Sequence, residues 1–277
     1  MKKIAIVGLG WLGMPLALSL LAKGYRVTGS KTTPDGVDAA RMCGVECYPL
    51  LLTPEIEAEP EDLAALFQVD TVIITLPAGH TVPRPEDYFL AVLQVVDSAL
   101  AFAVPRIIFT SSISVYGETT GVVREDSRLA PVTASGRSLM ELEQWLHRLP
   151  NTSVDTLRLA GLVGPSRHPG RFLSGKKQLP GGSHCVNLVH QSDVISAIEL
   201  LLKLPKGGHL YNICAPVHPA KRDYYPARAR ELGCAPPEFL PGGDKESGKI
   251  IDGNRICREL GFEYEYPDPA MMPAHLS

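Results

Sequence analysis

No two of the six cysteines, Cys43, Cys47, Cys185, Cys214, Cys234 and Cys257, are spaced C-x-x-C. Scattered singly, they read as buried or idle thiols of a reducing compartment, neither a disulfide framework nor a zinc site. The eight histidines lack an H-x-x-x-H spacing, so no metal is expected. There is no cationic surplus: the net charge is −3, which excludes a field able to gather nucleic acid or an anionic membrane. Repeats and low-complexity tracts are absent. Charge is also missing from residues 4–22, IAIVGLGWLGMPLALSLLA. Three glycines and Pro15 argue against one unbroken helix there, so neither a signal peptide nor a membrane span is expected, and the protein reads as cytoplasmic.

What is present is ordinary for a globular chain. Its 277 residues are 45% apolar and 21% charged. The 24 prolines imply many extended connections, mostly in the second half. Short apolar runs at Lys3–Val7, Arg26–Gly29, Val69–Thr75 and Arg106–Thr110 read as strands. Helical patterns separate them at Met14–Lys23, Asp35–Met42, Glu61–Phe67 and Glu86–Phe102. Helices are further expected at Arg137–Arg148, Gln191–Leu202, Pro219–Leu232 and Arg255–Leu260, and strands at Ser153–Leu159 and His209–Ile213. Near-continuous apolar strands alternating with helices predict an α/β fold: a doubly wound parallel sheet (Rossmann fold) with a small C-terminal substrate lobe. The expected core is 1–164 continued by 186–214. Residues 165–185 and 215–277, rich in Pro and Gly, form the lobe.

The stretch VGLGWLG places Gly8-x-Gly10-x-x-Gly13 between a strand and a helix. Gly8 allows the tight turn, Gly10 lets a pyrophosphate approach the backbone, and Gly13 permits close helix–strand packing. Trp11 and Leu12 complete the loop, and the helix N-terminus holds the anion. About twenty residues on, where NAD enzymes place an acid on the ribose, the chain has Ser30, Lys31 and Thr32. A lysine with hydroxyls suits a 2′-phosphate, so NADP is favoured over NAD; the bland alternative is a solvated turn. Ligands of such sheets lie beyond the carboxyl ends of the strands, which adds Leu76 and Pro77 to the expected cofactor contacts.

A burst of hydroxyls, Thr110, Ser111, Ser112, Ser114 and Tyr116, ends the strand Arg106–Thr110 in TSSISVYG. Thr110 and Ser111 are expected on the cofactor side; serines can also simply end a strand and cap the next segment. Here the chain resembles the extended branch of the short-chain dehydrogenase/reductase superfamily, the nucleotide-sugar epimerases and dehydratases, with Ser-Ser-x-x-Val-Tyr-Gly after the fifth strand. LRLAGLVGP (157–165), VNLVHQSDV (186–194) and LYNICAP (210–216) continue the likeness in the family's order. The resemblance implies that Ser112 hydrogen-bonds the reacting oxygen, that Tyr116 lines the substrate pocket, and that the partner is a small molecule such as a nucleotide sugar. It also implies a homodimer built through two helices.

One departure stands out. The family's Tyr-x-x-x-Lys pair falls on Ser135 and Leu139. The lysine ordinarily lowers the tyrosine's pKa, ~10 when free, toward neutrality. Serine cannot take that role without a separate base. His184 and His190 are the substitutes to consider, and each is also a plausible structural histidine. Arg137 could hold an anionic substrate or salt-bridge to Glu141. Arg167, His168, Arg171, Lys176 and Lys177 fall where the family binds its substrate nucleotide, and equally suit a solvated loop. Two readings stay open: an NADP-dependent oxidoreductase or epimerase-like enzyme with altered acid–base residues, or a non-catalytic NADP-binding sensor or regulatory protein.

Overall fold

A computed structural model of the chain describes residues 2–53, 55–79, 81–82, 84, 87–241 and 248–273. Seven strands form the main sheet: β1 (Lys3–Val7), β2 (Arg26–Lys31), β3 (Glu46–Pro49), β4 (Thr71–Ile74), β5 (Arg106–Ser112), β6 (Ser153–Leu159) and β7 (Leu210–Ile213). Their spatial order is β7-β6-β5-β4-β1-β2-β3. β1 pairs in parallel with both β2 and β4, β2 with β3, and β4 with β5. Thr156 donates to the His209 carbonyl and Ala160 to that of Ile213, so β6 and β7 also run the same way. Strand order reverses between β1 and β4, the switch point where doubly wound sheets open a crevice.

Two compact units divide the chain. The first is Met1–Val115, Pro131–Leu157 and Ile198–Leu210; the second is Tyr116–Ala130, Arg158–Ala197 and Tyr211–Ser277. In the first, β4 (TVII) and most of β5 are buried, as strands covered on both faces must be. Helices α1 (Gly13–Ala22), α2 (Pro34–Met42), α3 (Pro60–Phe67), α4 (Tyr88–Ala101) and α5 (Ala134–Leu146) belong to it. On α4 the buried positions Tyr88, Ala91, Val92, Val95, Val96 and Ala99 follow the i, i+3, i+4, i+7 rhythm of one helical face. Its expected start at Glu86 lies outside the described residues.

The strand β3 and the two-residue hairpin Leu51–Leu52 with Ile56–Glu57 were not expected. β3 is four residues long and ends in Pro49, too short to show a period, and a proline is tolerated at a sheet edge.

At the amino-terminal edge of β5 the guanidinium of Arg106 is buried. It donates to Asp155 (2.8 Å) and to the carbonyls of Leu201 and Leu204 at the end of α6 (Gln191–Lys203). Asp155, 0% exposed, also receives the backbone N–H of His209 and lies 2.6 Å from its Nδ1. One carboxylate thus ties three parts of the first unit.

The second unit is built from short parallel pairs: Gly161–Val163 with Leu188–His190, and Lys249–Ile251 with Gly121–Val123. Such brief strands carry no readable alternation. Val163, Val186, Leu188, Ala215, Tyr224 and Met272 form its core, with α7 (Lys221–Glu231) and α8 (Arg255–Leu260) beside them. Gly261 ends α8 in the left-handed region, φ 67°, which glycine tolerates best. Asp193, 1% exposed on α6, accepts the backbone N–H groups of Glu265 and Tyr266. Burial pushes its carboxyl up to about 6 despite those two bonds.

Both buried carboxyls have measurable consequences. Replacing Asp155 by Asn strands the Arg106 cation, so Asp155→Asn should lose about 3 kcal/mol in a urea unfolding titration. Asp193 holds its proton more tightly folded than unfolded, so its contribution to stability should grow as pH falls from about 6 to its ordinary value of 3.8. The stability difference between wild type and Asp193→Asn, measured across pH 3.5–7, should change by on the order of 2 kcal/mol in that sense.

Candidate functional site

The first unit gathers the glycine turn, the end of β2, the end of β4 and the end of β5. Gly8 has φ +99°, a backbone that L side chains rarely adopt. A Cβ at Gly13 would come within 2.2 Å of the Gly8 carbonyl oxygen and 2.9 Å of the Thr75 hydroxyl, so only glycine fits where α1 crosses β1. A Cβ at Gly10 would meet no atom within 4 Å. The middle glycine therefore faces open space, as a backbone approached by a ligand must. Leu12, at the N-cap of α1, offers no side-chain cap and the first turn carries no acid. In that turn the Met14 N–H already donates to the Gly10 carbonyl (3.0 Å) and Pro15 has none, so the N–H groups of Leu12 and Gly13 are left for an anion.

These features fit the pyrophosphate of a dinucleotide, with Gly8, Gly10, Trp11, Leu12 and Gly13 as the residues that would hold it. Trp11 is half-buried in the turn and Leu12 is buried. Thr75, which the sequence reading did not single out, donates to the Gly8 carbonyl (2.7 Å) and braces the turn from β4. Leu76 and Pro77 come next in the chain; the Leu76 carbonyl accepts from buried Tyr88, and a Cβ at Gly8 would touch the Leu76 side chain.

At the end of β2, Ser30 is buried and its hydroxyl accepts the Gly8 N–H (3.2 Å). It thus supports the turn directly. Lys31 is half-buried and Thr32 exposed. Thr33 is spent on capping α2 through the Gly36 N–H. No carboxylate stands at this strand end: Ser30, Lys31, Thr32 and Thr33 occupy it.

The hydroxyls of β5 differ in their use. Thr110 donates to the Ile74 carbonyl (2.9 Å), and Ser111 donates to Glu143 on α5; both side chains are buried. Ser112 is half-buried, and its oxygen accepts the Ser114 N–H (3.1 Å). Its own proton has no acceptor among the described residues. Of the three, Ser112 keeps a donor to offer.

Helix α5 begins at a Thr133 cap that accepts the Gly136 N–H. It contains neither tyrosine nor lysine. Ser135 is half-buried in its first turn, with Thr133 Oγ1 3.4 Å from its own oxygen. Leu139 is buried apolar core. Ser135, Leu139 and Glu143 recur every four residues, so they share one face of α5. The four-residue rhythm was available in the sequence, but the partner of Glu143 was not. Arg137 lies on the exposed face and donates to the Val132 carbonyl rather than to Glu141.

Tyr116 belongs to the second unit and is 1% exposed. Its hydroxyl donates to Asn212 (2.7 Å) and accepts from Arg158 (2.8 Å), whose guanidinium also lies over the ring. Burial raises its pKa, opposed by Arg158. The expected pocket-lining tyrosine is thus enclosed, with its proton committed. His190 is enclosed too: Nδ1 accepts from Ser192, Nε2 donates to the Pro273 carbonyl, and burial lowers its pKa. His168 caps the short turn Pro169–Arg171 by accepting the Gly170 N–H, and Lys177 pairs with Glu238 across an exposed surface. His184 is half-buried against Gly181 and Gly248. No helix among the described residues is long and apolar enough to cross a membrane.

Comparison with known proteins agrees with this architecture. The chain is 63% identical over 273 residues to the protein YeeZ of Escherichia coli strain K12, covering 99% of each chain. It superposes on the UDP-Glc/GlcNAc 4-epimerase of Campylobacter jejuni with a TM-score of 0.77 at 19% identity, covering 97% of this chain and 95% of that one. A short-chain dehydrogenase/reductase superfamily protein from Agrobacterium tumefaciens, solved with bound NAD, gives 0.76 at 20% identity, with 95% and 93% covered. At such identities the two structures speak for the fold. Residues 4–214 match the NAD dependent epimerase/dehydratase family, and with three-quarters of its length inside that match the chain belongs to this family.

Proposed function

We propose that the protein is an NADP-preferring, epimerase/dehydratase-like oxidoreductase acting on a nucleotide sugar or a small carbonyl compound, with acid–base residues that differ from the family pair. The observation that carries this reading is the unspent hydroxyl donor of Ser112 at the end of β5, in the same unit as a glycine turn whose middle residue opens on empty space. NADP, when bound, supplies hydride chemistry at a hydroxyl-bearing carbon. Ser112 orients the reacting oxygen by donating its proton in a hydrogen bond. Gly8, Gly10 and Gly13, braced by Ser30 and Thr75, hold the pyrophosphate. Lys31 and Thr32 favour a 2′-phosphate, because a cation with a hydroxyl attracts the group an acid would repel.

The proton itself needs another carrier. Ser135 would require a base to act, Leu139 supplies no charge, and Tyr116 has its hydroxyl engaged twice within the second unit. This shortage favours a second reading, in which NADP occupancy alters shape or partner binding without turnover. Its specific support is the lack of any tyrosine or lysine on α5. A cytoplasmic location and a homodimer accompany either reading.

Fluorescence titration with NADPH, then its oxidation over a panel of nucleotide sugars and small carbonyl compounds, separates the two. Binding with turnover of at least one substrate is expected, and Ser112→Ala should then lower kcat at unchanged NADPH affinity. Tight binding without turnover anywhere on the panel selects the non-catalytic protein. Lys31→Asp should weaken NADPH binding about tenfold or more, the worth of one charge-assisted contact, and strengthen NADH binding; tighter binding of NADH than NADPH by the wild type overturns the preference. The double variant Ser135→Tyr/Leu139→Lys is expected to gain reductase activity, and an unchanged rate would place the proton carrier elsewhere than on α5.

A further inference from the structure

We infer that Arg41 holds shut a latent interface: the outer edge of β3, which without it would pair with β3 of a second copy of this chain. The inference is independent of the proposed function.

β3 stands at the end of the seven-stranded order, next to β2. An edge strand turns the N–H and C=O groups of every second residue outward, which makes it a template for another strand. The Leu50 N–H, just past β3, donates to the Lys31 carbonyl of β2 (2.9 Å). Backbone groups alternate sides along a strand, so Glu46 and Tyr48 face β2 as Leu50 does. Val45, Cys47 and Pro49 therefore face outward. Each of the three is silenced. The Val45 N–H is spent on the Ala40 carbonyl of α2 (3.1 Å). Pro49 has no N–H. The Cys47 carbonyl accepts Nε of Arg41, which reaches across from the last turn of α2 (3.0 Å). Asp38, one turn earlier, lies 3.7 Å from the same guanidinium.

Two of these devices belong to the backbone path and the proline ring. Arg41 is the one that a side chain supplies, and that side chain is 52% exposed. Without it, Cys47 would present a bare C=O beside its outward N–H, the pair of groups an antiparallel neighbour needs. Two copies related by a two-fold axis would set Cys47 against Cys47 and exchange two N–H···O bonds, a self-complementary contact. A cavity of about 310 Å³, lined by Arg41 and residues 44–48, runs along the same edge and leaves room for a partner's side chains. On that axis Arg41 would also face its own copy, so like charge adds to the blocked acceptor. One cation is enough because β3 is only four residues long and Cys47 alone keeps both groups facing out.

Sedimentation velocity on the full chain, run over a range of concentrations, tests this. Arg41→Ala keeps a strong helix former in α2. It should assemble beyond the wild-type state at a concentration at least about tenfold lower than wild type does, the worth of the new hydrogen bonds. Arg41→Met, which keeps the length of the side chain but has no donor, should behave alike. Melting curves check that both variants are folded. Amide exchange at Cys47, followed by NMR at low and high concentration, locates the contact. It should slow as the variants assemble and stay constant in wild type. Adding Cys47→Pro to Arg41→Ala removes the outward N–H and should restore wild-type sedimentation. Sedimentation of both folded variants identical to wild type overturns the inference, and so does assembly that leaves exchange at Cys47 unchanged.

Discussion

The contact on which the first unit depends is the meeting of two backbones, where the carbonyl of Gly8 passes under α1 at Gly13. There is no room for a methyl group between them. Thr75 closes the gap from β4 and Ser30 from β2, each with one hydroxyl aimed at Gly8. Three strands thus converge on one peptide. The turn cannot relax without moving the sheet, and that rigidity is what a preformed anion site requires. Beside it, the N-terminus of α1 has no side-chain cap, because Leu12 offers no acceptor.

Much of the first unit could be read from the order of residues. The runs of β1, β4 and β5 are buried on both faces, so their apolar character is continuous and visible. The face of α4 repeats with helical spacing over fourteen residues. The three glycines announce themselves because each answers a different steric demand. Short elements escaped for the opposite reason: β3 and the paired strands of the second unit are three or four residues long, held by neighbours distant in sequence.

The candidate site was legible by residue type and less so by partner. TSSISVYG shows five hydroxyls but not which of them remain available. Thr110, Ser111 and Tyr116 are each satisfied by a group 32 to 96 residues away, respectively Ile74, Glu143 and Asn212. Such pairings depend on how the sheet stacks and leave no local trace. The absence of tyrosine and lysine from α5, by contrast, is a plain property of the sequence.

The bond between Ser111 and Glu143 has a geometric corollary. Side chains alternate along a strand, so neighbouring serines on β5 look in opposite directions. Clamping Ser111 to the helix forces Ser112 to the other side. A slip by a single position would put Ile113 where Ser112 now stands and drive Ser112 against the carboxylate. Glu143 therefore serves as a peg that keeps the strand in frame, and it lets a buried residue decide which alcohol the strand end presents.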